Sequence, residues 1–150
     1  MYDIIKGGKL VILVDQYNIP DDIFEIIFAT SQQKIVGKVF VNCFKENNCE
    51  LTKSEMSLFA TKLHEGNIMT YIDDEPYTGR PVKISYNKRQ FYDRILTPMR
   101  SMGLVDYDLY KRTYRLSENF NKLMIKIGMM WVKDMKKAPT NFRMELVEQV

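Results

Sequence analysis

The chain has 150 residues, 45% of them apolar and 27% charged, with 22 Lys and Arg against 19 Asp and Glu. That is the profile of one soluble globular domain large enough to bury a core without disulfides or metals, and it excludes a disordered, fibrous or multidomain chain. No apolar run approaches the roughly 18 residues of a membrane span, residues 1–9 lack the layout of a signal peptide, and Cys43 and Cys49 are too few for a disulfide framework. A cytoplasmic location with no membrane contact is therefore expected.

Lys9 to Asp15 is β-branched and apolar after Gly7-Gly8 and reads as a buried strand. Asn18-Ile-Pro20 breaks it. Asp21-Asp22 then opens a short helix over Ile23 to Phe28, with acid where a helix N-terminus favours it. Ile35, Val36, Val39, Phe40 and Phe44 fall at helical spacing and predict a helix from about Ser31 to Lys45, with a strand through Val36 to Phe44 as the alternative. Thr52 and Glu55 form a capping-box pattern for a third helix, which Gly66-Asn67 stops. Ile68 to Lys83 is irregular and rich in turn residues, with a short strand over Ile68 to Ile72. Ser85 is the expected cap of a helix to about Met102, with Phe91, Ile95, Met99 and Met102 on one side. Gly103 ends it. Leu104–Asp108 and Arg112–Leu116 form a hairpin pattern. Ser117 caps a last helix to about Lys137, striped with Phe120, Leu123, Met124, Ile127, Met130, Trp131 and Met135.

Charge is uneven along these elements. Residues 1–84 carry 9 basic and 12 acidic residues, whereas residues 85–150 carry 13 and 7. Val82 to Arg115 alone holds 8 basic and 3 acidic residues. A basic half of this kind suits a polyanionic partner, although a solvated lysine-rich surface has the same composition.

The run from Arg94 to Val105, followed by Tyr114-Arg-Leu116-Ser117, is informative as a unit. A helix ends on glycine, a Leu-Val strand leaves at once, and a charged hairpin returns through Tyr-Arg-Leu into another capped helix. Leu96, Met99, Gly103, Leu104, Val105, Tyr114 and Leu116 match position by position the recognition helix and wing of winged helix-turn-helix DNA-binding proteins. The chain thus resembles that family, including MarR/ArsR-like archaeal, viral or plasmid regulators, closely over residues 87–117 and loosely from residue 31. The resemblance implies an α+β fold with a winged helix-turn-helix core at 31–117. An N-terminal strand-helix extension at 1–30 and a long C-terminal helix within 118–150 would flank it. It also implies that the Leu51–Glu65 helix supports the recognition helix.

Sequence-specific binding of double-stranded DNA, most simply by a transcriptional regulator, is the function this implies. With Phe91, Ile95 and Met102 inward at about 100° per residue, Tyr86, Arg89, Gln90, Asp93 and Thr97 point outward. Asn87 and Lys88 occupy the first turn, which meets base edges in such helices. Asn and Gln suit adenine, Lys and Arg suit guanine. Lys111 and Arg112 at the hairpin tip would reach the flanking backbone, as would Lys83, Arg94 and Arg100. Pro98 predicts a kink near Arg94. Asp93 would repel phosphate unless paired with Arg89 or Thr97. The long Gly66–Ile84 link predicts an inserted hairpin carrying Arg80 and Lys83. Dimerisation through Ser117–Lys137 or the N-terminal segment would match a palindromic site.

Two other roles fit the pattern: a plasmid or viral replication initiator or partition protein, and a winged domain used as a protein-interaction module. No catalytic residue, metal or cofactor is expected. His64 is the only histidine and reads as a surface residue, the cysteines lack a zinc pattern, Asp73-Asp74-Glu75 reads as a solvated turn, and there is no phosphate loop or nucleophile elbow.

Overall fold

The computed structural model describes residues 14–72, 78–141 and 143–146. Most of the expected first strand, and Asp73 to Glu75, lie outside them. Val14 and Asp15, its last two residues, are in no regular element.

The first helix, α1, spans Ile23–Ile27; Asp22 caps it by accepting from the Phe24 amide at 2.9 Å. The Asp22 carboxylate also pairs with Lys38 of the next helix. That helix, α2, spans Ser31–Glu46 and is capped by Thr30. A Cβ on Gly37 would lie 2.5 Å from the Phe28 ring, so glycine is what lets the end of α1 rest on α2. Val36, Phe40 and Phe44 turn inward at helical spacing, so Val36 to Phe44 is helical and not a strand.

Asn48 and Cys49 adopt left-handed backbone and reverse the chain into a three-residue strand, β1, Glu50–Thr52. Thr52 then caps helix α3, Lys53–His64, through a 3.1 Å bond from the Glu55 amide. The link after α3 contains the expected inserted hairpin: β2, Ile68–Tyr71, pairs antiparallel with β3, Pro81–Ile84. Lys83 lies in β3 and Arg80 directly before it.

Residues 88–101 form one helical run in three parts: α4 (Lys88–Phe91), a π-helical turn (Tyr92–Leu96) and α5 (Thr97–Ser101). Its cap is Asn87, not Ser85: the Asn87 side chain accepts from the Gln90 amide at 3.0 Å. Ser85 instead donates to the His64 carbonyl. Pro98 has no amide to offer the helix. Just before it, the Thr97 amide bonds the Tyr92 carbonyl, five residues back. The kink expected near Arg94 is this wider turn. Its extra residue rotates the downstream face, so Leu96 joins Phe91, Ile95 and Met99 in the core while Met102 is only half-buried.

Gly103 ends the run with φ of +81°, and a Cβ there would lie 2.8 Å from the Phe120 nitrogen. Strands β4 (Val105–Asp108) and β5 (Thr113–Leu116) make the expected hairpin. On the other side of β5 lies β1, with Leu51 opposite Tyr114, so the sheet order is β1-β5-β4. The fold is therefore mixed α+β with small antiparallel sheets.

The core centres on Phe40 of α2, whose ring lies 4.9 Å from Phe44, 5.5 Å from Phe59 of α3 and 4.9 Å from Phe91 of α4. Leu51, Val105 and Tyr114 close it from the sheet.

The last helix, α6, spans Asn119–Met135, two residues short of the expected end. The Ser117 hydroxyl accepts from the Asn119 amide at 3.1 Å. No residue of α6 is buried. No helix among the described residues is long and apolar enough to cross a membrane.

Phe40→Ala should lower stability by about 3–5 kcal/mol, as loss of a fully buried ring does. Leu109→Ala, at a residue 78% exposed, should stay within about 0.5 kcal/mol. Urea midpoints at constant m-value check both.

Candidate nucleic-acid interface

Helix 88–101 presents one solvent face. Arg89, Asp93, Arg94 and Thr97 are exposed along it, and Gln90 is half-buried. Arg89 and Asp93 stand at i and i+4 with 3.8 Å between Nε and Oδ2, so the acid has the expected basic neighbour. Both side chains are largely in water, so this pair is weak and screened. Arg89 therefore stays available to another anion.

The start of the helix differs from the expectation. Tyr86, expected to point outward, is 5% exposed and belongs to the core. Its amide bonds the Leu63 carbonyl, which draws it under the end of α3. The helix starts two residues later than expected, after Asn87, and a residue ahead of it does not follow its 100° step. Asn87 is exposed, but its side-chain oxygen is committed to the cap. Lys88 is half-buried and tied to α3 twice. Its amide donates to His64 Nδ1 at 3.1 Å, and its Nζ donates to Thr61 Oγ1 at 3.0 Å. His64 is exposed as expected, yet it also holds the helix start.

The hairpin tip is built by Asp108. Its carboxylate accepts from the amides of Tyr110 and Lys111 at 2.9 and 3.1 Å. The hydrogen bonds from the Lys111 and Tyr110 amides hold its carboxyl below the ordinary carboxylate pKa. Lys111 and Arg112 are exposed. Arg112 has a φ of +53° and its carbonyl accepts from the Lys53 amide at 3.2 Å. That bond brings the tip to the start of α3, where Thr52, Lys53, Ser54, Ser57, Lys111 and Arg112 line one cleft of about 440 Å³. Lys53 and the two serines were not singled out in the sequence. Finding them requires β1 and its pairing with β5, and a three-residue Glu-Leu-Thr strand has too short a period to read.

The helical run and the hairpin are joined by Arg100. Its guanidinium lies 5.6 Å from the Tyr107 ring centre and 5.8 Å from that of Tyr114. A cation over an aromatic face is attracted by the ring quadrupole, so Arg100 adds a link between the helical run and the hairpin. On the outer sheet surface Arg115 pairs with Asp106 at 3.2 Å. Lys83 is exposed on the inserted ribbon.

Among the described residues no group of three His, Cys, Asp or Glu is placed to hold a metal. Cys49 is exposed, whereas Cys43 is half-buried and its thiol is pushed up by burial, then by Glu46 and Glu55. A thiolate is the reactive form. At pH 8, iodoacetamide should therefore label Cys49 well before Cys43, as peptide mapping would show.

The Asp108 carboxylate has a second consequence. A carboxyl whose folded pKa is depressed stabilises the fold above its ordinary value, here 3.8, and loses that effect as pH falls through the lower folded value. The Lys111 amide should keep its hydrogen-exchange protection through about pH 4 and lose it only as pH falls through the lowered folded value of Asp108, and Asp108→Ala should remove the protection at any pH.

No protein-family model, no curated protein and no solved structure matches this chain.

Proposed function

We propose that this chain binds double-stranded DNA in a sequence-specific way, as a homodimeric transcriptional regulator of the winged helix-turn-helix kind. The observation that carries the reading is the strand order β1-β5-β4. A strand before α3 pairs with the returning arm of a hairpin that follows the next helix. That arrangement leaves one helix face and one basic hairpin tip free of the core, as a recognition helix and wing require.

In this reading Arg89, Gln90, Arg94 and Thr97 face the major groove. Lys111 and Arg112, with Lys53 at the start of α3, neutralise backbone phosphates. Asn87 and Lys88 position the helix start through their bonds to the backbone and to α3. Tyr86 has no part in contact with DNA. Arg100 links the helical run to the hairpin.

A protein-interaction role has one observation in its favour. Leu109 and Tyr110 at the hairpin tip are 78% and 99% exposed, and aromatic residues at a protruding tip suit a protein surface. It predicts no salt-dependent duplex binding.

Anisotropy of a labelled mixed-sequence duplex at two salt concentrations separates the two. The DNA reading expects affinity to fall steeply with salt. Arg89→Ala should cost about 1–3 kcal/mol on the selected site and far less on random duplex. The double change Lys111→Ala with Arg112→Ala should weaken binding to all sequences and flatten the salt slope. Absence of binding at low salt would overturn the proposal in favour of a protein partner. The position of the selected site, at a promoter or at a replication origin, separates a regulator from an initiator.

A further inference from the structure

Helices α2 and α3 and the inserted ribbon leave a groove of about 580 Å³ between them, which is within the size range of small-ligand sites. Val39, Asn42, Cys43 and Glu46 enter it from α2, and Glu55, Leu58, Phe59 and Lys62 enter it from α3. Each set follows the spacing i, i+3, i+4, i+7 and so forms one stripe of its helix. Strand β2 closes the side. The ribbon is held there by its base, where Ile68 and Ile84 stand opposite one another and both pack against the core. On α3, Glu55 and Lys62 point about 160–180° away from Lys53 of the basic cleft. The groove and the cleft therefore use opposite sides of the same helix.

The lining combines an apolar floor with unneutralised acid. Leu51 and Phe59 are buried beneath the groove, and Leu58 and Met69 are about half exposed at it. Burial pushes the Cys43 thiol up, and the Glu46 and Glu55 carboxylates add to the rise. Both carboxylates thus act on the middle of the groove, and both charges felt there are negative. Glu46 and Glu55 are exposed, and among the described residues neither is in an ion pair. The one lysine of the lining, Lys62, stands about 10 Å farther along α3 than Glu55. Phe59 and Tyr71 add aromatic rings, whose quadrupole attracts cations.

We infer that this groove binds a small organic cation with an apolar body, its charge beside Glu46 and Glu55 and its body against Leu58, Phe59 and Met69. Charge complementarity selects the cation. An anion of the same shape would meet two carboxylates, and a neutral ligand would leave them unused. The apolar lining supplies burial, and the few polar groups fix the orientation, as in small-molecule sites generally. The inserted ribbon has a role in this arrangement, since β2 is one wall of the groove. The inference goes beyond the DNA reading: no residue of the groove is among those assigned to the duplex, so each stands or falls separately.

The test uses the full chain without DNA and two probes of one shape and opposite charge, tetraphenylphosphonium and tetraphenylborate. Calorimetry should show one phosphonium ion bound per chain and much weaker binding of the borate. The phosphonium should slow iodoacetamide labelling of Cys43, which lines the groove, and leave Cys49, which does not, at its own rate. The double change Glu46→Gln with Glu55→Gln should weaken phosphonium binding by about tenfold. Both side chains are exposed, so near-ultraviolet circular dichroism should not change. Leu58→Lys, which sets a positive charge on the apolar wall, should abolish binding in an equally folded chain. Labelling of each variant is compared with the same variant free of ligand. Absence of phosphonium binding overturns the inference. So does borate binding of equal strength, binding that the glutamine pair leaves intact, or binding that does not protect Cys43. A chain that ignores both ions while a synthetic leucine-lysine helix shields Cys43 overturns it in favour of a protein partner. Duplex binding enters none of these outcomes.

Discussion

Three helices of this protein meet on one phenyl ring. Phe40 touches Phe44 of its own helix, Phe59 of α3 and Phe91 of α4, the last edge-on at 87°. Offset and edge-to-face contacts of this kind add specific geometry to the burial of apolar area. Because the ring is fully buried, its neighbours have no room to slide. The angle of α4 against α3 follows, and with it the direction in which Arg89 and Arg94 project. The sheet adds Leu51, Val105 and Tyr114 to the same cluster. The basic hairpin tip is thereby held to the core through the strands that carry it.

Within that frame Pro98 does more than bend a helix. The π turn ahead of it places five residues where four would stand. Past that turn Leu96 and Met99 face the core while Met102 is only half-buried. The polar residues Asp93, Arg94 and Thr97 are left together outside. A single imino acid therefore sharpens the division between core face and solvent face.

Much of this was legible in the sequence wherever the signal is local. The caps at Asp22 and Thr52, the glycine stop at Gly103 and the hairpin after it each follow from short-range chemistry, and each stands within a residue or two of its expected place. The inserted ribbon was legible as a long link with turn residues. Three things were not. Strand β1 is formed by partners some sixty residues away, opposite Arg115 to Thr113. Tyr86 lies ahead of the helix in no regular element, and its burial is set by its bond to the end of α3, so helical periodicity does not reach it. Asn87 displaced Ser85 as cap because both are good capping residues, and only the tertiary bond of Ser85 to His64 decides between them. In the candidate site, Arg89, Arg94, Thr97, Lys111 and Arg112 are exposed as expected. Lys53 joins them only through the sheet.

Helix α6 has a chemical character of its own. Met124, Met129, Met130 and Met135 present exposed thioethers, which are soft, polarisable and adaptable in packing. They are also readily oxidised. Each sulfoxide would replace an apolar side chain with a polar, chiral one on the same helix. The buried Met56 and Met99 are shielded from that chemistry by the core. Oxidant would thus reach these side chains, and Met69 of the inserted ribbon at 56% exposed, long before Met56 and Met99, altering polarity at the surface while leaving the aromatic cluster and the basic hairpin as they are.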